Sequence, residues 1–334
     1  MQRISLLIGI NYINTDIELI GCINDVNNIS EVLKNKFNFS EIIKLTDKTR
    51  LKPTKQNIID NFNLILEKIN SSKYNEIWIH YSGHGYRIND KTSKNNYSEV
   101  IIPLDYKTKG VISNDFFYEK FLKKIKNPNV KVFIFFDCCN SGTQMALPYQ
   151  YNNNHWIKKN DNHCIGKVIF MSGCKNNQDS QEIFNIENNK KWAGAMTTNF
   201  INWLDKLDYH VKINDLMIFI QKFIESSKFK QTPQISSNYK INMNALLFYN
   251  TNNNCELLQS NLINNEETIK SYIHLYKRYE YLGRKYKNID RFYNYYRKQK
   301  KLYNNLIENF EFNKINNNYK NSQVIYFFKT QLLQ

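Results

Sequence analysis

The sequence predicts an α/β fold, a mostly parallel sheet with helices on its faces, and three observations predict it. Short apolar runs alternate with segments of helical period along the first 136 residues, the pattern of a parallel sheet wrapped by crossover helices. Two of those runs, Ile77-Trp78-Ile79-His80-Tyr81 and Val132-Phe133-Ile134-Phe135-Phe136, are apolar at almost every position, as strands covered on both faces should be. Each run stops at a polar turn that carries glycine: Ser82-Gly83-His84-Gly85 after the first, Asp137-Cys138-Cys139-Asn140-Ser141-Gly142 after the second.

Taken in order, Ile4–Ile10 reads as a buried first strand. It is too short for a secretory core and has no small-residue cleavage site behind it. Helical periodicity follows at Asp25–Phe37 and Thr54–Ile69, then a strand at Glu76–Tyr81, a helix at Asp115–Ile125 and a strand at Val130–Phe136. Polar, Asn-rich residues 144–166 read as a flexible loop. Beyond it, strands are expected at Lys167–Ser172 and Asn244–Tyr249, and helices at Thr197–Asp208 and Asn214–Ser226. The run Asn250-Thr251-Asn252-Asn253-Asn254 reads as a linker. The expected organisation is therefore one α/β domain over 1–249 and an extension over 250–334.

Composition narrows the function classes. With 334 residues, 42% of them hydrophobic and 23% charged, the chain can bury a core, which excludes wholesale disorder. No run approaches the ~18 apolar residues of a membrane span, and mean hydropathy is −0.60. Six cysteines in a chain this long do not make a disulfide scaffold, and Cys138 and Cys139 are adjacent and awkward to bridge. A reducing, cytoplasmic location is expected. The formal charge is +16, and residues 270–301 hold eleven Lys and Arg against Glu280 and Asp290.

Ligands collect at the carboxyl ends of the strands in open sheets of this kind, so the chemistry belongs in the two glycine-bearing turns. A thiol that attacks a carbonyl needs a base, donors for the oxyanion and a pocket. Cys139 is the candidate nucleophile and His84 the base and later the acid. The backbone N–H groups of Gly85 and Cys139 are the candidate oxyanion hole. The competing readings are a core histidine and an inert buried thiol; the occurrence of both residues at strand ends beside glycines favours the pair. Two carboxylates stand near the same rim. Asp137 precedes the nucleophile by two residues, and Asp25 opens the first helix. Either could meet a cationic substrate side chain, and either could instead serve structure, Asp25 as a first-turn acid and Asp137 in its turn.

These residues carry a resemblance. The chain resembles the metacaspases, caspase-like cysteine peptidases of clan CD and peptidase family C14, over roughly residues 4–249. The motifs are Leu7-Ile8-Gly9-Ile10-Asn11-Tyr12, Gly21-Cys22-Ile23-Asn24-Asp25-Val26, His80-Tyr81-Ser82-Gly83-His84-Gly85 and Val100-Ile101-Ile102-Pro103-Leu104-Asp105. They continue through Asp137-Cys138-Cys139-Asn140-Ser141-Gly142-Thr143, Ser172-Gly173-Cys174-Lys175-Asn176-Asn177-Gln178, Gly194-Ala195-Met196-Thr197 and Pro233-Gln234-Ile235-Ser236-Ser237. What the resemblance implies is a caspase-like three-layer sandwich, a Cys139/His84 dyad and cleavage after Arg or Lys. It places the substrate pocket at Cys22, Asp25, Ser82 and Asp137. It also implies a type I-like arrangement without a prodomain, with a large-subunit-like part (1–143) and a small-subunit-like part (167–249). Protein or peptide substrates with Arg or Lys at the cleavage site are the expected partners, and a monomer is the expected state. Self-processing is expected after Lys158 or Lys159 in the intervening loop.

Two departures bear on this reading. Asn140 stands where the family commonly has histidine. The resemblance implies calcium, yet the acids in the corresponding regions are few: Asp90, Glu99 and Asp115, with Ser98, Ser113 and Asn114 where acids are expected. No cofactor is expected to be required, and calcium is expected to be dispensable or weakly activating.

The tail from Thr268 to Asn309 places Ile269, Ile273, Tyr276, Tyr286, Ile289, Tyr293, Tyr296, Tyr303 and Ile307 at helical spacing, interrupted by Gly283. A helical hairpin with a solvated basic face is one reading of this extension. Nucleic-acid contact through 270–301 is a second, and an anionic membrane surface a third. A caspase-fold protein that binds basic peptides, or nucleic acid through the tail, without turnover is the alternative to the peptidase.

Overall fold

Leu6, Leu7 and Ile8 are all buried in the first strand because helices cover both faces of the sheet to which it belongs. The computed structural model describes residues 2–91, 96–138, 145–152, 155–173, 182–185, 191–207, 209, 211–226, 233–242 and 244–248. In chain order the elements of the first half are β1 (Arg3–Gly9), α1 (Cys22–Asn35), β2 (Glu41–Thr46), α2 (Lys55–Asn70), β3 (Glu76–Ser82), β4 (Gly85–Asn89), β5 (Tyr97–Ile101), α3 (Tyr106–Lys109), β6 (Ile112–Ser113) and β7 (Lys131–Asp137). There follow β8 (Tyr149–Asn152), β9 (His155–Lys158), β10 (Lys167–Ser172), β11 (Glu182–Asn185), β12 (Lys191–Gly194), α4 (Ala195–Lys206), β13 (Val211–Lys212), α5 (Ile213–Ser226), β14 (Gln234–Ser237) and β15 (Leu246–Phe248).

Eight strands form the main sheet in the order β2-β1-β3-β7-β10-β14-β8-β9. The first five run parallel, and the last three pair antiparallel beyond them. On one face α2 buries Ile58, Phe62, Ile65 and Ile69 against the alternate strand residues Leu6, Ile79 and Ile134. On the other, α1, α4 and α5 bury Val26, Ile29, Phe200 and Leu216 against Leu7, Trp78 and Phe135. The period of two along each strand sends successive side chains into opposite cores. The extension beyond residue 250, with its basic segment 270–301, lies outside the described residues, as does the linker proposed there.

Three expectations need correction. The helix expected at Asp115–Ile125 is a π-helical turn, Phe116–Phe121, followed by a 3-10 turn, Leu122–Lys124. Phe116, Phe117 and Phe121 all pack on the Phe62 ring, with centroids 5.8, 5.3 and 5.0 Å away, and the wider turn accommodates that crowding. The strand expected near Asn244–Tyr249 is shorter, Leu246–Phe248, and pairs with Val211–Lys212 rather than joining the main sheet. The segment read as a flexible loop is the β8–β9 hairpin on the sheet edge. Tyr151 and Trp156 oppose each other across it with ring centroids 5.2 Å apart, a cross-strand aromatic pair that residue composition alone concealed. Lys158, a proposed cleavage site, is the last residue of β9 and is ion-paired with Asp161 at 2.5 Å.

His80 sits at the centre of β3, fully buried, with Nδ1 donating to the Phe135 carbonyl at 3.0 Å and Nε2 without a hydrogen-bond partner. Burial disfavours its charged form and lowers its pKa from 6.5 to about 3. Between those values the unfolded chain binds a proton that the folded chain refuses. Stability is therefore undiminished above pH 6.5 and falls below it, by up to about 1.4 kcal/mol per pH unit from this group. Urea unfolding of wild type and His80→Leu between pH 7.5 and 4.5 should show a slope shallower by about one proton in the variant; equal slopes would contradict this account.

Candidate active site

Parallel pairing brings the carboxyl ends of the central strands to one rim. Gly9 of β1 lies opposite Ser82 of β3, and Ser82 opposite Asp137 of β7. The turn after β3 therefore puts His84 on the same rim as Asp137. His84 is half-buried. Its Nε2 lies 2.9 Å from the Ile17 carbonyl oxygen; because a carbonyl only accepts, Nε2 carries a proton and donates it. The Tyr12 ring packs against the imidazole with centroids 4.9 Å apart. This arrangement fixes the ring by its Nε2 side and leaves Nδ1 as the nitrogen that can exchange a proton, which is what a general base requires.

Next to it two buried carboxylates converge. Asp25, on α1, accepts the Ser82 hydroxyl at 2.7 Å through Oδ2 and the Gly194 N–H at 2.8 Å through Oδ1. Asp137 Oδ2 accepts both the N–H and the hydroxyl of Thr197, at 2.9 and 2.8 Å. A methyl group placed on Gly194 would collide with Asp137 Oδ2 and Asp25 Oδ2 together. The carboxylates thus meet over a residue that has no side chain, where the chain enters α4. Like charges so close repel, and the N–H groups at the start of a 12-residue helix offset part of that cost. Of the residues read as a substrate pocket, Asp25, Ser82 and Asp137 come together. Cys22 lies one helical turn before Asp25 and is buried within electrostatic reach of the Tyr12 and Tyr81 hydroxyls.

Gly85 opens β4, and the ladder with β5 fixes where its N–H points. The Ile102 N–H donates to the His84 carbonyl, so His84 and Ile102 form the hydrogen-bonding pair and the next pair, Gly85 with Ile101, does not. The Gly85 N–H is consequently directed away from β5. Cys138 is fully buried in the core on the α2 side of the sheet. Cys139, together with Asn140, lies outside the described residues. Sequence reading gave no role to Thr197 and Gly194, although both fall inside a quoted motif, and it passed over Asp47, whose carboxylate binds the Asn11 and Ile13 N–H groups on either side of Tyr12.

Residues 3–148, which span both His84 and Cys139, match the family described as "Metacaspase, peptidase C14 domain". Over these residues the chain is similar to that family. Metacaspase-5 of Trypanosoma cruzi is 28% identical over 259 residues, a match covering 72% of this chain and 58% of that protein. Metacaspase-1 of Lodderomyces elongisporus is 37% identical over 169 residues, covering 47% and 37%. The chain thus spans about half or less of the length of these two relatives. Protein GSU0716 from Geobacter sulfurreducens, a solved structure, is similar in fold with a TM-score of 0.55 at 19% identity, covering 75% of this chain and 99% of that one. The expected caspase-like sandwich is borne out by the sheet and its helical layers, while the helical extension is outside the described residues.

Calcium, which the family resemblance implies, does not fit the described residues. Asp90 accepts the Ser98 hydroxyl. Asp105 Oδ1 accepts the Lys55 N–H at 2.7 Å and so helps start α2. Buried Glu99 faces the Arg87 guanidinium at 3.9 Å, a cation already beside it. Among the described residues no three Asp, Glu, His or Cys side chains, Asp115 included, gather as a ligand set, whereas calcium takes six to eight oxygens. Calcium at millimolar concentration, or a chelator, should therefore move the melting temperature by no more than about 1 °C. A rise of several degrees with calcium would reveal a site these residues do not form.

Proposed function

We propose that the chain is a cysteine endopeptidase that cleaves proteins or peptides after Arg or Lys, with Cys139 as nucleophile and His84 as acid and base. The observation that carries the proposal is the convergence of Asp25 and Asp137 over Gly194, on the rim that presents His84. A guanidinium or ammonium entering there would replace carboxylate repulsion by two charge-assisted contacts, with arginine able to bond bidentately. Supporting it are the metacaspase match over both residues of the dyad and the direction of the Gly85 N–H, away from β5.

In this mechanism Nδ1 of His84 takes the Cys139 thiol proton, and the thiolate attacks the carbonyl carbon of the basic residue itself. The carbonyl oxygen becomes an oxyanion and accepts from the N–H groups of Gly85 and Cys139. The imidazolium then gives its proton to the leaving amine as the C–N bond breaks, and water, deprotonated by His84, releases the acid from the thioester. Ile17 holds the opposite ring nitrogen throughout, so the imidazole does not change tautomer. Self-cleavage after Lys158 or Lys159 would first need β9 to peel from β8, so the folded hairpin is expected to resist it.

Fluorogenic peptides ending in Arg, Lys or a neutral residue test the proposal. Wild type should release the fluorophore from Arg and Lys peptides, in chelator as well as in calcium. Cys139→Ala and His84→Ala should abolish release, and Cys138→Ala should retain it. Binding of Arg peptides with no turnover by wild type would leave the pocket standing and remove the peptidase.

Asp137→Asn keeps an acceptor for Thr197 and removes the charge. It should lower kcat/KM for Arg peptides about a hundredfold or more, equivalent to ~3 kcal/mol, and leave neutral peptides little changed. An unchanged preference for basic residues would place the pocket elsewhere.

A further inference from the structure

The hydroxyl of Tyr12 stands at the end of a β ladder. One step beyond the first pair of β4 with β5, Gly85 opposite Ile101, Ile102 N–H donates directly to the His84 carbonyl at 3.1 Å. The reciprocal bond is not direct. His84 N–H donates to Tyr12 Oη at 3.0 Å, and Tyr12 Oη donates to the Ile102 carbonyl at 2.7 Å. The phenol of a residue that follows β1 is thus the link between the two chain segments at the histidine. Tyr81 Oη, 3.2 Å from Tyr12 Oη, donates to the His84 carbonyl at 2.7 Å. A methyl group on Gly83 would lie 2.7 Å from Tyr81 Oη and 3.2 Å from Tyr12 Oη, so the glycine before the histidine makes room for the two hydroxyls. Burial raises both phenol pKa values well above the ordinary one, which keeps Tyr12 a donor and an acceptor at once at neutral pH.

The backbone of Tyr12 serves the imidazole as well. Its φ is 50°, a left-handed conformation that is rare for a bulky residue and persists only where the surroundings impose it. Asp47 imposes it, Oδ2 accepting the Asn11 N–H at 2.7 Å and Oδ1 the Ile13 N–H at 3.2 Å. From this kink the chain loops through residues 13–20 and returns to Asn11, whose Nδ2 donates to the Ile20 carbonyl at 3.0 Å and whose Oδ1 accepts the Ile23 N–H at 3.0 Å. The loop presents the Ile17 carbonyl to His84 Nε2.

We infer that Tyr12 is the positioning residue of His84: its inserted hydroxyl sets the histidine main chain, its ring supports the imidazole, and its kink brings the carbonyl that fixes the tautomer. The inference rests on the reading of His84 as the acid and base of a peptidase. Tyr12→Phe is the variant of choice, because it removes only the hydroxyl that holds the His84 main chain, so the imidazole is no longer set against the Ile17 carbonyl although the ring and the backbone kink remain. Tyr74→Phe is the control. It removes another buried hydroxyl, bonded to Glu41 at 2.5 Å beside the amino end of β3, away from the rim that carries His84.

Two readouts separate positioning from folding. The ¹⁵N shifts of the His84 ring, assigned by loss in His84→Gln, should report a protonated Nε2 in wild type and Tyr74→Phe and tautomer averaging in Tyr12→Phe. With an Arg peptide, kcat should fall about tenfold to a hundredfold in Tyr12→Phe while KM stays within about twofold, the signature of a misplaced base. Wild-type ring shifts together with wild-type kcat in Tyr12→Phe would overturn the inference. If wild type cleaves no peptide, the peptidase reading fails on its own, and the ring shifts decide the positioning: averaging sustains it and unchanged shifts overturn it.

Discussion

The parallel pairing of β3 with β7, in register from Glu76 opposite Lys131 to Ser82 opposite Asp137, is the constraint on which the rest of the site depends. Side chains alternate along a strand, so Ser82 and Asp137 share the face covered by α1 and α4, while Tyr81 and Cys138 turn to the other core. A slip of one residue in β7 would send Asp137 into the apolar core under α2 and bring a cysteine to the carboxylate pair. The buried aromatic layer resists such a slip. Trp78 packs on Phe133 at 4.7 Å and Tyr81 on Phe136 at 5.4 Å, each ring matched to its neighbour across the strands. Core packing therefore sets the register, and the register sets the chemistry.

On that frame the site is built from two separate devices. The histidine is fixed mainly by the first part of the chain, through Tyr12, Ile17 and Tyr81. The carboxylates are fixed across a long separation in sequence, Asp25 and Asp137 by main-chain groups of Gly194 and Thr197. Docking of the start of α4 against α1 and β7 is thus what brings the two carboxylates of the proposed pocket together, and a bare Cα at position 194 is what leaves them room. The same helix start that stabilises the two charges leaves them close enough together to favour a cation between them.

Much of the frame was legible in the sequence because burial on both faces writes an unmistakable pattern. The runs at 77–81 and 132–136 are strands, the helices at 25–37 and 54–69 are displaced by three residues or fewer, and the glycine-bearing turns carry the candidate residues. Asp25, Ser82 and Asp137 were legible as a set only through resemblance to a family, since nothing in their spacing brings positions 25 and 137 together. The β8–β9 hairpin was not legible, because its strands are four residues long and polar apart from Tyr149, Tyr151, Trp156 and Ile157. Nor was the π-helical turn, which arises from three phenylalanines competing for one ring. Tyr12 entered the sequence reading only as the last residue of a motif. Its role lies in where a hydroxyl falls between two strands that the sequence does not reveal as partners.

The central claim is that a substrate cation is held between Asp25 and Asp137 while its carbonyl meets Cys139. The most direct test is a crystal structure of wild type trapped with a peptidyl electrophile whose last residue is arginine. The account predicts a covalent bond to the Cys139 sulfur and a guanidinium hydrogen-bonded to both carboxylates above Gly194. A guanidinium in solvent or on other acids, or an adduct on a different residue, would contradict it.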